Sequence, residues 1–559
     1  MVLTLNFMTT NVLQSLFALS GKPTALHIGV GVWLATVCNL PLWIALGKIV
    51  DTSSLGGTAF IFAFCVAIAA ANTALLSLFA FGPWRRLVLS AFIVIAALSS
   101  HFMLTYGVVI DTGMATNTIQ TDIKEVQDLL NLRLFVTVLL LAGPPLWWIW
   151  RTKTSSRKFG QVLVWHIGTV IGSMMLVVSI TFMAFQPLAS TMRDHTKIRY
   201  LINPFNSLYA FGKSIKGSQS LSASELLPVG QDARVSVADQ RNEDPVLFLI
   251  VGETARAASF PAYGYERPTT PRLSGRDDIF YAANAWSCGT STAESLPCMF
   301  SPLGRTEFLS RSQDTENLLE VLQRAGLAVL WLDNQSGCKG ICKRVPTAVP
   351  SASPEHSSCA QLETCQDTIM LSGIAERIKS LPAESRKRGT VVVLHQMGSH
   401  GPAYYRRSSP ERKVFMPECT SSALQSCKQG EVKNAYDNSI VETDYFLSQS
   451  IQWLSDNSGS SATAMLYVSD HGESLGEGNL YLHGLPYALA PDEQKKIPWI
   501  FWMSAPMTTQ LGISPKCLQK EMKEKSISHD NYFHTVLGVM GVQTSIYNPT
   551  FDVLSSCRR

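Results

Sequence analysis

The stretch PVLFLIVGET (residues 245–254) decides how the second half of the chain is interpreted. It is a continuous apolar run that ends in glycine and polar residues, a pattern typical of a strand buried on both faces of a parallel sheet. Similar apolar runs recur at AVLWLDN (328–334), TVVVLHQMGSHG (390–401) and AMLYVSDHGES (464–474). Helix-like stretches lie between them, at 317–325 and 434–454. Alternating strands and helices predict an α/β domain with a central, mostly parallel sheet and helices on both faces.

The first 185 residues have a different composition, with long runs that carry no charge. Only 16% of the 559 residues are charged, too few for a soluble enzyme of this length. A helix needs about 20 apolar residues to cross a membrane, and such runs occur at 25–46, 57–81, 87–110, 134–150 and 162–185. The sequence therefore predicts a membrane domain of five helices (1–185), a bridge with short helices (186–244) and a water-facing domain (245–559).

Basic residues in two short loops predict the orientation of these helices. Arg85 and Arg86 lie between spans two and three, and residues 151–158 between spans four and five contain four more lysines and arginines. Both loops are predicted to be cytoplasmic by the positive-inside rule. An odd number of spans then places everything after residue 185 outside the cytoplasm. The stretch before the first span lacks a cleavage site, so no removable signal peptide is predicted.

Cysteine usage is consistent with that orientation. Of the 12 cysteines, Cys38 and Cys65 lie in the predicted spans, and the remainder lie in the part placed outside the cytoplasm. An even number in local pairs predicts five disulfides in an oxidising compartment. The absence of C-x-x-C pairs disfavours a zinc site on these cysteines. The sequence does not fix the pairing, but neighbours along the chain are Cys288 with Cys298, Cys338 with Cys342, Cys359 with Cys365, Cys419 with Cys427, and Cys517 with Cys557.

Polar side chains follow the apolar runs at the point where each predicted strand ends. Ligands of α/β sheets bind beyond the carboxyl ends of the strands, so these side chains are candidates for one site. Carboxylate oxygens with an imidazole nitrogen suit a zinc ion that keeps one position open for substrate. The candidates are Glu253, Asp333, His395, His400, Asp470 and His471.

The stretch SCGTSTAESLPCMF (287–300) places a hydroxyl cluster between Cys288 and Cys298. A disulfide there would hold the hydroxyls in position. A threonine hydroxyl is a poor nucleophile at neutral pH, but coordination to a metal lowers its pKa. The metal would also offset charge on a phosphoryl group under attack. Spacing alone leaves Thr290, Ser291 and Thr292 as alternative nucleophiles.

Seven motifs together resemble the phosphoethanolamine transferases, and most closely those that act on lipid A, which include the polymyxin-resistance enzymes. The motifs are VGETAR (251–256), SCGTSTAESLPCMFS (287–301), DNQSGCKGICKRVP (333–346), HQMGSHGPAYYRR (395–407), NAYDNS (434–439), YVSDHGESLGE (467–477) and YLHGLPYALAP (481–491). The resemblance covers nearly the whole chain. It implies a multi-pass protein of the bacterial inner membrane, with a periplasmic catalytic domain of the alkaline phosphatase and sulfatase type.

The resemblance also implies roles for individual residues. Thr292 is expected to be the nucleophile, and the zinc ligands are expected to be Glu253, Thr292, Asp470 and His471. His400 and His483 correspond to histidines around the phosphoryl group or a second metal, so one zinc ion is expected and a second stays open. Lys339 corresponds to a basic residue that holds the phosphate. His395 has two interpretations, a site residue or a buried structural histidine.

The connection between spans three and four, DTGMATNTIQTDIKEVQ (111–127), resembles the family's periplasmic helix near the donor lipid and is expected at about 112–130. Asn117, Thr121 and Glu125 recur every four residues and so share one helix face. We expect Glu125 to attract the ethanolamine ammonium and the other two to bind the polar head group. A merely solvated helix face is the alternative.

The resemblance implies transfer of phosphoethanolamine from phosphatidylethanolamine to a phosphate of lipid A, which makes the cell surface less anionic and gives resistance to cationic peptides. The expected partners are these two lipids and the membrane, without nucleic acid, and the chain is expected to be a monomer. Alternatives are another acceptor, such as the lipopolysaccharide core or a protein, or a related glycerophosphotransferase. A membrane-anchored sulfatase is disfavoured because CGTST lacks the C/S-x-P-x-R pattern, and a non-catalytic sensor would not expose a threonine beside its metal.

The assignment of Glu125 gives a first prediction. Glu125→Ala is expected to lower donor turnover because the ethanolamine ammonium loses its counter-charge. The measurement is diacylglycerol release from phosphatidylethanolamine by variant and parent at equal expression. Unchanged turnover would remove Glu125 from the donor site.

Overall fold

The structure, a computed structural model, describes residues 24–120, 123–152, 159–222, 226–235, 245–335, 337–350, 365–457 and 461–559, without the side chains of 123–125, 159 and 217–222. The chain forms two compact units. The first contains the described residues up to Thr112 together with Leu130–Gly212, and the second contains Gly113–Leu129 and Lys213–Arg559. The segment between the third and fourth membrane spans thus belongs to the second unit.

The helices up to residue 222 are numbered in chain order. They are α1 (Ala25–Thr36), α2 (Leu40–Gly47), α3 (Leu55–Phe79), α4 (Arg85–Tyr106), α5 (Thr112–Gln120), α6 (Ile123–Leu129), α7 (Leu132–Arg151), α8 (Phe159–Met183), α9 (Phe185–Asp194), α10 (Lys197–Tyr200) and α11 (Phe205–Ser222).

Five helical stretches in the described part of the chain are long and apolar enough to cross a membrane. They are Ala25–Gly47, Leu55–Phe79, Gly82–Tyr106, Leu132–Arg151 and Gly160–Met183. The five predicted spans are therefore confirmed, with ends that differ by a few residues. Helix α3 packs against α1 and α8, and α4 packs against α7.

Two buried asparagines connect the first span to the chain that follows the fifth. Asn39 Nδ2 donates to the carbonyl of Asn203 (2.5 Å), and the backbone N–H of Asn203 donates to Asn39 Oδ1 (2.9 Å). Asn203 Nδ2 donates further to the carbonyls of Cys38 (3.1 Å) and Ala96 (2.7 Å). Both asparagines are fully buried. Polar groups in apolar surroundings are costly unless they are hydrogen-bonded, so this network stabilises one arrangement of the bundle.

The strands are β1 (Arg234–Val235), β2 (Val246–Gly252), β3 (Ile279–Tyr281), β4 (Asn284–Trp286), β5 (Ala328–Asp333), β6 (Thr347–Ala348), β7 (Thr390–His395), β8 (Thr463–Ser469), β9 (Ser474–Leu475), β10 (Tyr481–Leu482), β11 (Trp499–Met503), β12 (Ser526–Ser528) and β13 (Val542–Gln543). The main sheet has the order β3-β11-β8-β2-β7-β5-β6. Strands β8, β2, β7, β5 and β6 are parallel, and β11 is antiparallel to both of its neighbours.

The predicted α/β fold is confirmed. The four predicted strands are β2, β5, β7 and β8, and they lie side by side in the sheet. Apart from Val246 at the start of β2, their residues are buried, which explains why their sequences are almost continuously apolar. The antiparallel edge formed by β3 and β11 was not predicted.

The remaining helices belong to the second unit. They are α12 (Thr292–Met299), α13 (Arg305–Ser310), α14 (Leu318–Arg324), α15 (Ile374–Lys379), α16 (Ala383–Arg388), α17 (Gln429–Asn457), α18 (Ala505–Gln510), α19 (Pro515–Glu524) and α20 (Tyr532–Met540). The two predicted helix-like stretches are α14 and α17. Asn317 caps α14 in a capping box with Glu320, and Trp453 of α17 stacks on Phe248 of β2 with ring centroids 5.2 Å apart.

The asparagine network gives a second prediction. Asn203→Ala removes the two hydrogen bonds of the Nδ2 group, which leaves the carbonyls of Cys38 and Ala96 without this donor, and it is expected to cost about 1–3 kcal/mol of stability. The measurement is the thermal unfolding midpoint of the detergent-solubilised chain. Asn457→Ala, at the exposed end of α17, is the control and should change stability by less than about 0.5 kcal/mol. Equal midpoints for the two variants would contradict a stabilising role of Asn203.

Candidate active site

The candidate site lies at the carboxyl edge of the main sheet. Parallel strands β2 and β8 are neighbours in register, with Gly252 opposite Ser469. The residues that directly follow them, Glu253 on one side and Asp470 and His471 on the other, therefore come together. All three are fully buried.

The hydroxyl of Thr292, the first residue of α12, lies within this group. Thr292 Oγ1 donates to the Glu253 carboxylate, at 3.2 Å from Oε1 and 3.1 Å from Oε2, and lies 3.4 Å from His471 Nε2. His471 Nε2 is 3.5 Å from Glu253 Oε1 and 3.5 Å from Asp470 Oδ2. Ligand atoms of the three residues Glu253, Asp470 and His471 all lie within 4.8 Å of one another.

The donor set fits a bound cation. Asp470 Oδ1 accepts from the backbone N–H groups of Thr254 (3.1 Å) and His471 (2.7 Å). Asp470 Oδ2 is buried and accepts no hydrogen bond of ordinary geometry from the described residues. Two buried carboxylates and an oxygen without a donor are costly unless a positive charge compensates them. Imidazole nitrogen and carboxylate oxygen are both zinc ligands in proteins, and three protein ligands leave the fourth position of a catalytic zinc site open.

His471 is held in the form that a metal ligand requires. Its Nδ1 donates to the carbonyl of Gly472 (2.9 Å), so Nε2 faces Thr292. Burial lowers the pKa of His471, which keeps the imidazole neutral at pH 7. A neutral imidazole with its Nε2 lone pair directed at two carboxylates is arranged to bind a cation.

The three hydroxyls of the CGTST turn have different surroundings. Thr290 Oγ1 donates to the carbonyl of Leu485 (2.6 Å), so its proton is used in a hydrogen bond to the main chain and not to a carboxylate. Ser291 precedes α12 in an extended conformation and makes no capping hydrogen bond. The hydroxyl of Thr292 is the one that contacts Glu253 and His471.

The turn is fixed at both ends. Cys288 and Cys298 form a disulfide. The backbone N–H of Cys288 donates to His529 Nδ1 (3.0 Å), and His529 Nε2 donates to the carbonyl of Ser469 at the end of β8 (3.0 Å). His529 therefore ties the turn to the strand that carries Asp470. Sequence reasoning missed His529, because a lone histidine gives no signal for two main-chain contacts.

Two further histidines lie next to His471. Ring centroids are 4.3 Å apart for His471 and His483, and 5.9 Å apart for His400 and His483. Burial holds the pKa of His400 well below its usual value. His483 Nδ1 lies 3.4 Å from Glu473 Oε2, and burial raises the pKa of that carboxyl well above its usual value. Glu473 lies in the DHGES motif, but sequence reasoning did not select it.

Asp333 and His395 form a buried pair beside this site. His395 Nδ1 is 3.3 Å from Asp333 Oδ1, and the backbone N–H of Gln335 donates to the same oxygen (2.9 Å). Gln335 Nε2 donates to Glu253 Oε2 (3.3 Å). The pair therefore supports Glu253 through Gln335, and this favours the structural interpretation of His395.

The structure describes only some of the remaining predicted residues. Lys339 Nζ donates to the carbonyl of Gln120 on α5 (3.2 Å). Asn117 is half-buried on α5, Thr121 lies outside the described residues, and so does the side chain of Glu125. The sequence left the cysteine pairing open, and the structure contains the disulfides Cys288–Cys298, Cys338–Cys342, Cys419–Cys427 and Cys517–Cys557, each between neighbours along the chain. Cys359, the neighbour of Cys365, lies outside the described residues.

Two family models match the chain. "Phosphoethanolamine transferase EptA/EptB" matches residues 68–218, and "Sulfatase" matches residues 245–542. The phosphoethanolamine transferase EptA of Escherichia coli strain K12 is 37% identical over 473 residues, which cover 84% of this chain and 85% of the relative. The chain belongs to the phosphoethanolamine transferases. It is therefore a transferase enzyme with a membrane domain and a sulfatase-like catalytic domain.

Two other similar proteins align with nearly the whole of this chain. The phosphatidylethanolamine transferase Mcr-1 of Escherichia coli is 34% identical over 534 residues, 94% of this chain and 96% of the relative. The solved structure of the integral membrane lipooligosaccharide phosphoethanolamine transferase A from Neisseria meningitidis matches with a TM-score of 0.89 at 30% identity, covering 96% of this chain and 99% of that chain. The predicted family is confirmed.

His529 gives a third prediction. Burial lowers its pKa to about 4 from 6.5, so the neutral histidine stabilises the fold fully above pH 6.5 and this stability is lost as the pH falls towards 4. Gln at this position could make both main-chain hydrogen bonds without titrating. Between pH 7 and pH 4 the parent should therefore lose up to about 3 kcal/mol more stability than His529→Gln. Parallel pH dependences of their thermal unfolding midpoints would contradict this assignment.

Proposed function

We propose that this transferase moves phosphoethanolamine from phosphatidylethanolamine to a phosphate group of lipid A through a covalent intermediate on Thr292. The observation that carries the proposal is the Thr292 hydroxyl, held 3.1 Å from Glu253 and 3.4 Å from His471 at the start of a helix. The names of two relatives support phosphatidylethanolamine as the donor and lipid A as the acceptor. One names phosphatidylethanolamine, and a 27% identical protein of Escherichia coli is a Kdo(2)-lipid A phosphoethanolamine 7''-transferase.

Glu253, Asp470, His471 and Thr292 would hold one zinc ion. When bound, it supplies positive charge that lowers the pKa of the Thr292 hydroxyl and offsets charge on the phosphoryl oxygens. His400 and His483 are the candidate ligands of a second metal.

The first step forms the covalent intermediate. Thr292 Oγ1 attacks the phosphorus of phosphatidylethanolamine, the bond from phosphorus to the glycerol oxygen breaks, and diacylglycerol leaves with the proton that Thr292 has given up. The Glu253 carboxylate, which accepts the hydrogen bond of Thr292, is placed to take that proton first. The N-terminus of α12 favours negative charge at Thr292.

The second step returns the enzyme to its starting state. A phosphate oxygen of lipid A attacks the same phosphorus, the bond to Thr292 breaks, and the threonine recovers its proton. The side chains of His400, His483 and Lys339 would hold the phosphoryl oxygens during both steps. The product carries an added amine, so the periplasmic or outer surface that receives it attracts cationic peptides less strongly.

The covalent route gives a fourth prediction. Thr292→Ala should reduce transfer by at least about 1,000-fold, because no other hydroxyl of the turn contacts Glu253. Intact-mass spectrometry of the parent incubated with donor should show one added phosphoethanolamine on Thr292. Zinc should be retained by the variant because three ligands remain. Thr290→Ala is the matched control and should keep most of the turnover. A Thr292→Ala protein with parental turnover would exclude the covalent route.

The acceptor gives a fifth prediction. Lipid A from cells that express the transferase should carry phosphoethanolamine on a phosphate, and lipid A from cells with Thr292→Ala should not. Mass spectrometry of lipid A, of the lipopolysaccharide core and of periplasmic proteins separates the alternatives. Modification of the core or of a protein with unmodified lipid A would overturn the acceptor but leave the donor reaction intact.

A further inference from the structure

The segment Gly113–Leu129, which we call the interposed segment, contacts the catalytic unit although it lies between two membrane spans in sequence. Thr116 Oγ1 and Ser214 Oγ share a hydrogen bond of 2.7 Å. Lys339 Nζ donates to the carbonyl of Gln120. A Cβ atom on Gly484 would lie 2.6 Å from Met114 Cε, so Met114 packs directly on the residue after His483.

Asp128, near the end of the interposed segment, forms ion pairs with two arginines of the catalytic unit. Asp128 Oδ1 accepts from Arg406 Nη1 (3.0 Å), and Asp128 Oδ2 accepts from Arg407 Nη2 (2.5 Å). The side chains of Asp128 and Arg407 are 8% and 3% exposed, whereas that of Arg406 is 31% exposed. One carboxylate thus binds two guanidinium groups, largely shielded from water.

Arg407 connects this ion pair to the active site. Its Nε donates to the carbonyl of His400 (2.8 Å), so a single guanidinium joins Asp128 to the main chain of a proposed phosphoryl-binding residue. Three contacts of the interposed segment therefore lead to the proposed phosphoryl site: one to Lys339 itself, one to the neighbour of His483, and one through Arg407 to the backbone of His400. Lys339, His483 and His400 are the three residues proposed to hold the phosphoryl oxygens.

We propose that Asp128 is a positioning residue that holds α6 of the interposed segment against the phosphoryl site. Through Arg407 it fixes α6 relative to His400, so that a phosphatidylethanolamine bound by α5 and α6 presents its phosphorus to Thr292. This inference rests on the proposed function and adds a residue to it. Asp128 acts through charge, because its carboxylate pairs with the guanidinium of Arg407, whose side chain is 3% exposed, and a neutral side chain removes that counter-charge.

The test compares Asp128→Asn, Asp128→Glu and the parent as full chains in detergent with phosphatidylethanolamine micelles. Asp128→Asn keeps the shape of the side chain but not its charge, and we expect a rise of about tenfold or more in KM for the donor. Asp128→Glu restores the charge and should recover most of the affinity. Asp314→Asn, which breaks the Arg311–Asp314 pair elsewhere in the same unit, is the matched control and should behave like the parent.

Hydrogen exchange supplies a readout that does not depend on turnover. In Asp128→Asn the amides of α6 should exchange faster, while those of β2 and β8 keep their protection and the zinc content stays that of the parent. A parental KM in Asp128→Asn would overturn the inference. So would faster exchange throughout the catalytic unit, since that shows a role in folding alone. If the parent releases no diacylglycerol, the proposed function itself fails, and the exchange of α6 still shows whether Asp128 holds the segment.

Discussion

Two buried carboxylates, Glu253 and Asp470, lie in one cluster with His471 and the hydroxyl of Thr292, and the chemistry of this transferase depends on what balances their charge. The parallel register of β2 and β8 forces them together, because each residue directly follows a strand end. Buried anions of this kind are costly without a cation. A cation bound by this cluster would therefore lie beside the Thr292 hydroxyl, the nucleophile that we propose.

A disulfide and a buried histidine restrict the position of Thr292, in addition to its place at the start of a helix. The Cys288–Cys298 disulfide spans the turn, and His529 connects Cys288 to Ser469 at the end of β8. Thr290 is tied separately to Leu485. Thr292 and two of the proposed metal ligands, Asp470 and His471, are therefore connected to the end of the same strand, so that a shift of β8 would move them together. A rigid placement of this kind lowers the cost of reaching the attack geometry.

Much of the fold could be predicted because buried strands and membrane spans have continuous apolar sequences. The membrane spans and strands β2, β5, β7 and β8 are such runs, and their polar ends identified Glu253, Asp470 and His471. Strand β3 has three residues, too few for a pattern, and nothing in an apolar run gives the antiparallel direction of β11. The roles of His529 and Asp128 depend on partners 241 and 279 residues away, which no local pattern reports. The choice of Thr292 over Thr290 came from family resemblance, and the side-chain contacts give it a physical reason.

X-ray absorption spectroscopy at the zinc edge of the purified chain would show whether the buried carboxylates bind a metal. We predict one tightly held zinc ion with oxygen and nitrogen ligands at about 2.0–2.2 Å, a single imidazole among them and no sulfur. Loss of one oxygen ligand in Thr292→Ala would place the hydroxyl on the metal. A fully active chain without a metal, or a zinc ion bound by cysteine sulfur, would contradict the account.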